Sequence, residues 1–233
     1  MFDRLELSYA RLGLTVEGTH TQDVLESALG QSNDINMNVL GAKLKLLDMG
    51  DAWWQPAVSV GTQYKVTDAD NATLNFIGAK DDSGWDFYVA GTKVYKLPVI
   101  ERNLLLNATV RGTQANDIGY AGFGAKTDAF GNKGDDGYSA QFEGSVGLFA
   151  AADTVVGFEY RMKPDNLKAV SEDNWWDAFV AYMPSKHWSA VAAYADLGNI
   201  FNEVANLDAN LGGKKTTEGN NQRGLYVQFQ VNY

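Results

Sequence analysis

The chain has 233 residues, a formal net charge of −10 and no cysteine. Nucleic-acid binding needs a basic surface, so this acidic chain is not expected to have a nucleic-acid partner. Hydrophobic residues make up 45% of the chain, a fraction typical of folded proteins rather than disordered ones. No run approaches the roughly 18 apolar residues that a membrane-spanning helix requires. The first residues, MFDRLELSYARL, have neither the basic nor the apolar region of a signal peptide.

Ten segments alternate apolar and polar residues, and this period of two predicts β-strands with one apolar and one polar face. In chain order they cover residues 4–9, 41–46, 58–65, 86–96, 103–111, 141–148, 156–162, 176–182, 187–197 and 223–233. The facing of 86–96 and 187–197 is ambiguous. The last segment, RGLYVQFQVNY, is the most regular, with Tyr233 ending its apolar face.

Short and long connections alternate between these strands. The short ones lie near residues 48–54, 97–101, 150–154 and 184–187, and the long polar ones near 16–34, 67–84, 114–137, 164–174 and 198–222. An up-and-down barrel in an outer membrane has this asymmetry, with short turns on one side and long loops on the other. A soluble sandwich with crossover connections has no reason to sort its loops in this way. The pattern predicts an all-β, antiparallel transmembrane barrel over residues 1–233.

Two segments in the long loops need separate interpretation. Residues 71–80 could form an eleventh strand, but eleven strands would prevent antiparallel closure, so we interpret 67–84 as an outer excursion with a small hairpin. The stretch GYAGFGAKT, residues 119–127, approaches a phosphate-binding loop but lacks its spacing and its βα unit. We therefore expect a flexible outer loop there.

The tryptophans lie near both ends of the predicted strands. Trp53, Trp54 and Trp188 are close to short turns, and Trp85, Trp175 and Trp176 border long loops. Amphipathic rings in two belts suit the two interfaces of a membrane.

The polar faces of the strands carry charges of both signs. Because a membrane barrel turns its apolar face to lipid, these residues are expected to line the interior. They are candidates for a selective constriction, and Arg111 and Glu143 could pair across successive strands. A salt-bridge network filling a narrow barrel is the alternative, since ten or twelve strands lie between a filled and an open barrel. The candidates are Glu6, Lys43, Lys45, Lys65, Arg111, Glu143, Glu159, Arg161 and Asp177.

Motifs for catalysis are weak. The two histidines are His20, in a polar loop, and His187, two residues after Ser185 in a short turn. Spacing alone does not define a catalytic pair. We expect no enzyme activity, no metal and no cofactor, and a lipid-modifying barrel enzyme stays as a lesser alternative.

Long stretches of the chain resemble DUF3034, a proteobacterial family of exported proteins regarded as outer-membrane β-barrels. They are FDRLELSYAR (2–11), IGAKDDSGWDFYVAGTK (77–93), LLLNATVRGTQAN (104–116), FEYRMKPDNL (158–167), MPSKHWSAVAAYADLG (183–198) and NQRGLYVQFQVNY (221–233). The resemblance implies a fold and a location, but no catalytic residues.

The resemblance also implies features of both ends of the chain. Members have a signal peptide and further strands before the FDR-like stretch, so this chain is expected to begin inside a barrel of twelve or more strands, leaving an unpaired edge. Phe229, Val231 and Tyr233 match the carboxy-terminal signal read by barrel-assembly machinery. The implied partners are that machinery, outer-membrane lipid and lipopolysaccharide.

The leading hypothesis is an outer-membrane β-barrel with a narrow pore for small solutes. A non-conducting structural or surface-interaction barrel is the main alternative. A soluble lipid-binding barrel is a third, and the oligomeric state is open.

Overall fold

The computed structural model describes residues 4–15, 34–129, 131–168, 172–198 and 223–231. Within these residues it has twelve β-strands and one α-helix. The strands are β1 (Leu5–Thr15), β2 (Asp34–Leu47), β3 (Ala57–Thr67), β4 (Ala79–Asp81), β5 (Ser83–Leu97), β6 (Arg102–Thr113), β7 (Phe123–Ala125), β8 (Ser139–Ala151), β9 (Thr154–Arg161), β10 (Trp175–Ser185), β11 (Trp188–Asp196) and β12 (Arg223–Val231). The helix, α1, spans Asn71–Ile77. No helix in the described ranges is long and apolar enough to cross a membrane.

Ten strands form one antiparallel sheet that curls into a half-barrel. Their order in the sheet, β1-β2-β3-β5-β6-β8-β9-β10-β11-β12, follows the chain. All ten predicted strands are therefore confirmed, together with their up-and-down order. Strands β1 and β12 are the two edges of this sheet in the described part of the chain.

The pairing registers sort the side chains as the alternation predicts, because directly opposed residues of neighbouring strands share a face. On the apolar face, Leu44 lies opposite both Leu5 and Val60. Registers also resolve the facing of residues 86–96, one of the two ambiguous segments. Val89 lies opposite Val60 on the apolar face, whereas Asp86 lies opposite Gln63 on the polar face. We call these two surfaces the outer face and the inner face.

The excursion after β3 contains a helix, so the predicted small hairpin at 67–84 is wrong. Asp70 caps α1 by accepting hydrogen bonds from the backbone N–H groups of Ala72 and Thr73, and such capping outweighs a short alternating pattern. Leu74 and Ile77, one helical turn apart, are the buried residues of the helix. The segment is not an eleventh barrel strand, as the loop argument predicted.

The expected flexible outer loop at 119–127 is also wrong. Residues 114–125, which we call the inserted segment, are largely buried, and β7 within it pairs with β4 in a two-stranded sheet. The physical reason is apolar contact. Ala121 and Ala125 join Leu74, Ile77 and Leu167 in one core cluster. A second cluster forms where Tyr120 packs on the inner-face residues Met37 and Val39 of β2.

Glycine permits the tight path of the inserted segment. Gly122 has a φ of +76°, which side chains other than glycine rarely adopt. A Cβ atom at this position would lie 2.7 Å from the backbone oxygen of Asp81. The segment can therefore approach the β4 strand closely only with glycine at position 122.

Candidate functional site

All nine charged candidates predicted from the sequence lie on the inner face. The pairs Glu6–Lys43, Glu143–Arg161 and Glu159–Asp177 are directly opposed across neighbouring strands. The registers place the other candidates on the same face: Lys45, Lys65 and Arg111. Although all nine side chains lie on the same face, they are not all in contact and form separate groups.

Four of the candidates form a continuous ion-pair network with Asp86. We call this network the charge belt, and its members are Lys65, Asp86, Arg111, Glu143 and Arg161. The belt crosses five neighbouring strands, from β3 to β9. Lys65 Nζ lies 2.6 Å from Asp86 Oδ2, and Arg111 lies 3.3 Å from the same oxygen. Glu143 joins the two arginines, with Oε1 2.7 Å from Arg111 Nε and 3.2 Å from Arg161 Nε.

Arg111 is the centre of the belt. Its Nε and one terminal nitrogen donate to the two carboxylate oxygens of Glu143, at 2.7 and 3.1 Å. The other terminal nitrogen donates to Gln63 Oε1 at 2.9 Å. The guanidinium also lies over the ring of Tyr88, 5.1 Å from its centroid. This bidentate pairing confirms the predicted contact between Arg111 and Glu143.

Three residues of the belt are buried although they are charged. The exposed fractions of Asp86, Lys65 and Arg111 are 0%, 3% and 7%. Asp86 accepts from Lys65, from Arg111 and from the Thr113 hydroxyl, the last at 2.6 Å. Buried charges persist only when they are paired and hydrogen-bonded, because each ion has lost its hydration. The belt therefore fixes the relative positions of its strands.

The other candidates lie apart from the belt. Lys43 pairs with Glu6 at 3.6 Å, and Lys45 pairs with Asp48 of a short turn at 2.8 Å. Glu159 and Asp177 line a cleft of about 300 Å³ beside Arg161. Two carboxylates directly opposed across strands repel each other, so this cleft presents negative charge.

The inserted segment reaches the belt through a strained turn. Asp117 and Ile118 have positive φ angles of 43° and 55°, and a positive φ is unusual for a β-branched residue. The Ile118 carbonyl accepts a hydrogen bond from Lys65 Nζ at 3.0 Å. The strain is therefore balanced in part by a contact between the inserted segment and the belt.

A second buried charged group holds the inserted segment to β9 and β10. Lys163 Nζ lies 3.1 Å from Asp117 Oδ1 and 4.8 Å from the ring centroid of Trp175. The Asp117 N–H donates to Glu172 Oε2 at 2.8 Å. Burial, with the nearby Asp117 charge, raises the pKa of Glu172 to about 8. Burial also raises the pKa of Asp117.

Several of these residues were not predicted from the sequence. Asp86 lies in a strand of ambiguous facing, although the alternation of Trp85, Asp86 and Phe87 was a usable signal. Lys163 and Glu172 lie in a long connection without periodicity, so no pattern indicated their burial. Trp175 was assigned to an aromatic belt, but it lies on the inner face opposite Arg161.

The outer face carries exposed apolar and aromatic side chains. Leu7 and Val89, for example, are 74% and 53% exposed. Aromatic contacts cluster at two levels. One level, near the long loops, includes the pairs Tyr64–Trp85, with centroids 4.9 Å apart, and Phe158–Trp176, at 5.8 Å. The other, near the short turns, includes Tyr182–Trp188 at 5.7 Å and Trp188–Phe229 at 6.2 Å.

The remaining sequence candidates have limited structural support. The backbone N–H of His187 donates to Ser185 Oγ at 3.2 Å, which is a turn contact rather than a contact between the two side chains. In the described ranges, no group of three or more potential metal-ligating side chains occurs. Phe229 and Val231 lie on the outer face of β12. His20 and Tyr233 lie outside the described residues.

Sequence comparison identifies the family. The DUF3034 profile, described as a protein of unknown function, matches residues 1–230. The chain therefore belongs to the DUF3034 family. No curated protein matches the chain at a significant level.

Proposed function

We propose that this DUF3034 protein is an outer-membrane β-barrel that provides a narrow, charge-lined passage for small solutes. The observation that carries the proposal is the difference in polarity between the two faces of one curled sheet. Its outer face exposes apolar side chains, and its inner face buries paired charges. A bilayer favours this distribution, whereas water disfavours it.

The outer face has the dimensions of a membrane-facing surface. Soluble monomers rarely expose contiguous apolar patches larger than a few hundred Å². Trp85 and Tyr95 are both in β5 and on the outer face, ten residues apart. At about 3.3 Å per residue and a tilt of roughly 40°, they are separated by about 25 Å across the membrane, the height of the apolar band of such barrels.

The charge belt is the proposed constriction. It combines cations and carboxylates at one level of the inner face, and the acidic cleft of Glu159 and Asp177 lies beside it. A passage between these groups would discriminate solutes by size and by charge. Outer-membrane lipid, lipopolysaccharide and the barrel-assembly machinery are the partners that this location implies.

A non-conducting barrel is the second candidate, and a specific observation favours it. The inserted segment packs on the inner face at the long-loop end, through Tyr120 against Met37 and through Ile118 bonded to Lys65. A barrel closed by such a segment would serve a structural or surface-interaction role. The two candidates differ in one measurable property, which is conductance.

The test is single-channel recording of the purified protein in planar bilayers, with heat-modifiable migration on a gel as the check of folding. We expect stepwise conductance. The double variant Glu159→Gln/Asp177→Asn should lower the cation-to-anion permeability ratio at least about twofold, because it removes the charge of the acidic cleft. Asp51→Asn, in a short turn, is the matched control and should leave this ratio unchanged.

The outcomes separate the candidates. A folded, inserted protein without conductance would contradict the passage and favour the non-conducting barrel. Protein that stays in solution without detergent and does not fractionate with the outer membrane would contradict both.

A further inference from the structure

The acidic cleft on the inner face has a floor made of one row of directly opposed residues. The row crosses five neighbouring strands, from β6 to β11. Its members are Asn107, Ser145, Glu159, Asp177 and Ala195. The adjacent row, of Glu143, Arg161 and Trp175, forms one wall. At about 300 Å³, the cleft is as large as the smaller ligand sites of proteins, whose volumes range over ~300–1,000 Å³.

The two carboxylates of the floor lack counterions. Glu159 and Asp177 are directly opposed across β9 and β10, and in the described part of the chain neither takes part in a salt bridge or a hydrogen bond. Other inner-face carboxylates, such as Glu6 and Asp86, are paired with cations. Directly opposed like charges destabilise a sheet. A local arrangement that opposes folding is expected at a functional site rather than at a structural one.

Arg161 supplies unused hydrogen-bond donors to the same cleft. Its Nε lies 3.2 Å from Glu143 Oε1, and its side chain is 30% exposed. Within the described residues, its two terminal nitrogens make no hydrogen bond. Glu143 already accepts two hydrogen bonds from Arg111, so it does not satisfy every donor of both guanidinium groups. The terminal N–H groups of Arg161 are therefore available to a planar anion such as a carboxylate.

The charges of the cleft define the ligand that complements it. Arg111 neutralises Glu143 through its bidentate pair. This leaves the cation of Arg161 and the carboxylates of Glu159 and Asp177, which together carry one net negative charge. A ligand with one carboxylate and two cationic groups would meet each of these three charges with the opposite sign.

The spacing of the three side chains fits such a ligand. Directly opposed residues have Cβ atoms about 5 Å apart, so Glu159 and Asp177 can each hold one ammonium group of the same molecule. Arg161 lies two residues from Glu159 on the same face of β9, a separation of roughly 7 Å. A molecule with a backbone of a few carbon atoms spans these distances.

We propose that the cleft binds an amino acid with a cationic side chain, of which L-lysine is the probe. Arg161 holds the carboxylate, and Glu159 and Asp177 hold the α-ammonium group and the side-chain ammonium group. This assignment rests on the proposed passage, since it names the class of solute that the passage carries. Binding itself requires only the folded inner face.

Calorimetric titration of the full chain, folded in micelles of an uncharged detergent, measures the binding. Cadaverine has the two ammonium groups of lysine without its carboxylate, and L-glutamate has the opposite net charge. We expect saturable binding of L-lysine, at least about tenfold tighter than that of cadaverine, and no binding of L-glutamate. Equal affinities for lysine and cadaverine, or no saturable binding of lysine, would overturn the proposal.

Variants of the cleft separate the roles of its residues. Arg161→Gln should weaken lysine binding at least about tenfold without weakening cadaverine binding, because only lysine has a carboxylate for Arg161 to hold. The double variant Glu159→Gln/Asp177→Asn should weaken the binding of both ligands by at least that factor. Lys96→Gln removes an exposed cation of the inner face outside the cleft. It is the control and should bind both ligands as the wild type does.

Heat-modifiable migration on a gel checks the folding of every variant. If Arg161→Gln does not fold, the ratio of lysine to cadaverine affinity in the wild type decides. Equal losses for both ligands in folded Arg161→Gln, or unchanged lysine affinity in the folded double variant, would overturn the proposal. Conductance without lysine binding would overturn this site alone, and lysine binding without conductance would support the site and contradict only the passage.

Discussion

The middle and the edge of the sheet have the same alternating sequence pattern but different environments. In the middle, Asp86 and Arg111 of β5 and β6 are buried on the inner face. At the edge, every residue of β12 is exposed, including Gln228 on that same face. The difference shows that alternation sorts side chains between two faces, while neighbours determine whether a face is buried.

Two kinds of neighbour bury the middle of the sheet. Strands on both sides supply ion-pair partners, such as Glu143 for Arg111. The inserted segment then covers the belt through the contact between Ile118 and Lys65. Because β1 and β12 lie at the edges of the described sheet and away from this segment, their polar residues stay exposed.

The largest effect is expected from Asp86→Ala. This substitution leaves Lys65 and Arg111 buried without the carboxylate they share, and breaking a buried ion pair costs about 3–5 kcal/mol. Urea unfolding of the protein in lipid vesicles, followed by tryptophan fluorescence, measures the loss. Gln228→Ala, on the same face of the edge strand, is the control and should change stability by no more than about 0.5 kcal/mol. Equal effects at both positions would contradict the contrast between middle and edge.

A smaller effect is expected when the packing of the inserted segment is disturbed. Gly122→Ala introduces a Cβ atom next to the Asp81 carbonyl at a positive φ, which should destabilise the inserted segment by about 1–3 kcal/mol. Limited proteolysis of residues 114–125 should become faster. Gly91→Ala is the matched control, because a Cβ at Gly91 meets no atom within 4 Å. Unchanged cleavage in Gly122→Ala would show that the segment is not held by this close packing.

The smallest effect is expected from a change of one pH unit near neutrality. The pKa of Glu172 is about 8 in the folded protein, above its ordinary value of 4.5. Burial of the Glu172 side chain is therefore most favourable at low pH, where the carboxyl group is neutral, and becomes less favourable as pH rises between these two values, by up to roughly tenfold per pH unit. Amide hydrogen exchange at Asp117, corrected for the intrinsic pH dependence, measures this opening.

Glu172→Gln is the control for the pH effect. The glutamine keeps an oxygen acceptor for the Asp117 N–H but does not titrate in this range. Corrected exchange at Asp117 should then be independent of pH. A wild-type protein with the same flat profile would contradict the raised pKa.

Much of the sheet could be predicted from local sequence. The alternation in segments such as 103–111 and 141–148 identified all ten strands, and loop lengths identified their order. The same alternation placed nine charged candidates on one face and indicated the pair Arg111–Glu143. The helix at Asn71–Ile77 was missed because a seven-residue segment bears little periodicity, and its Asp70 cap was the better signal.

The sequence by itself determined the strands, their order and the composition of the two faces, since these depend on residue spacing along one chain. Only the tertiary structure decided which charges are buried together and that residues 114–125 fold inward against them. Those features depend on contacts between distant segments, such as Lys65 with Ile118 and Lys163 with Asp117. Pairing and burial in three dimensions have no periodic signature in the sequence, because their free energy comes from partners far apart in the chain.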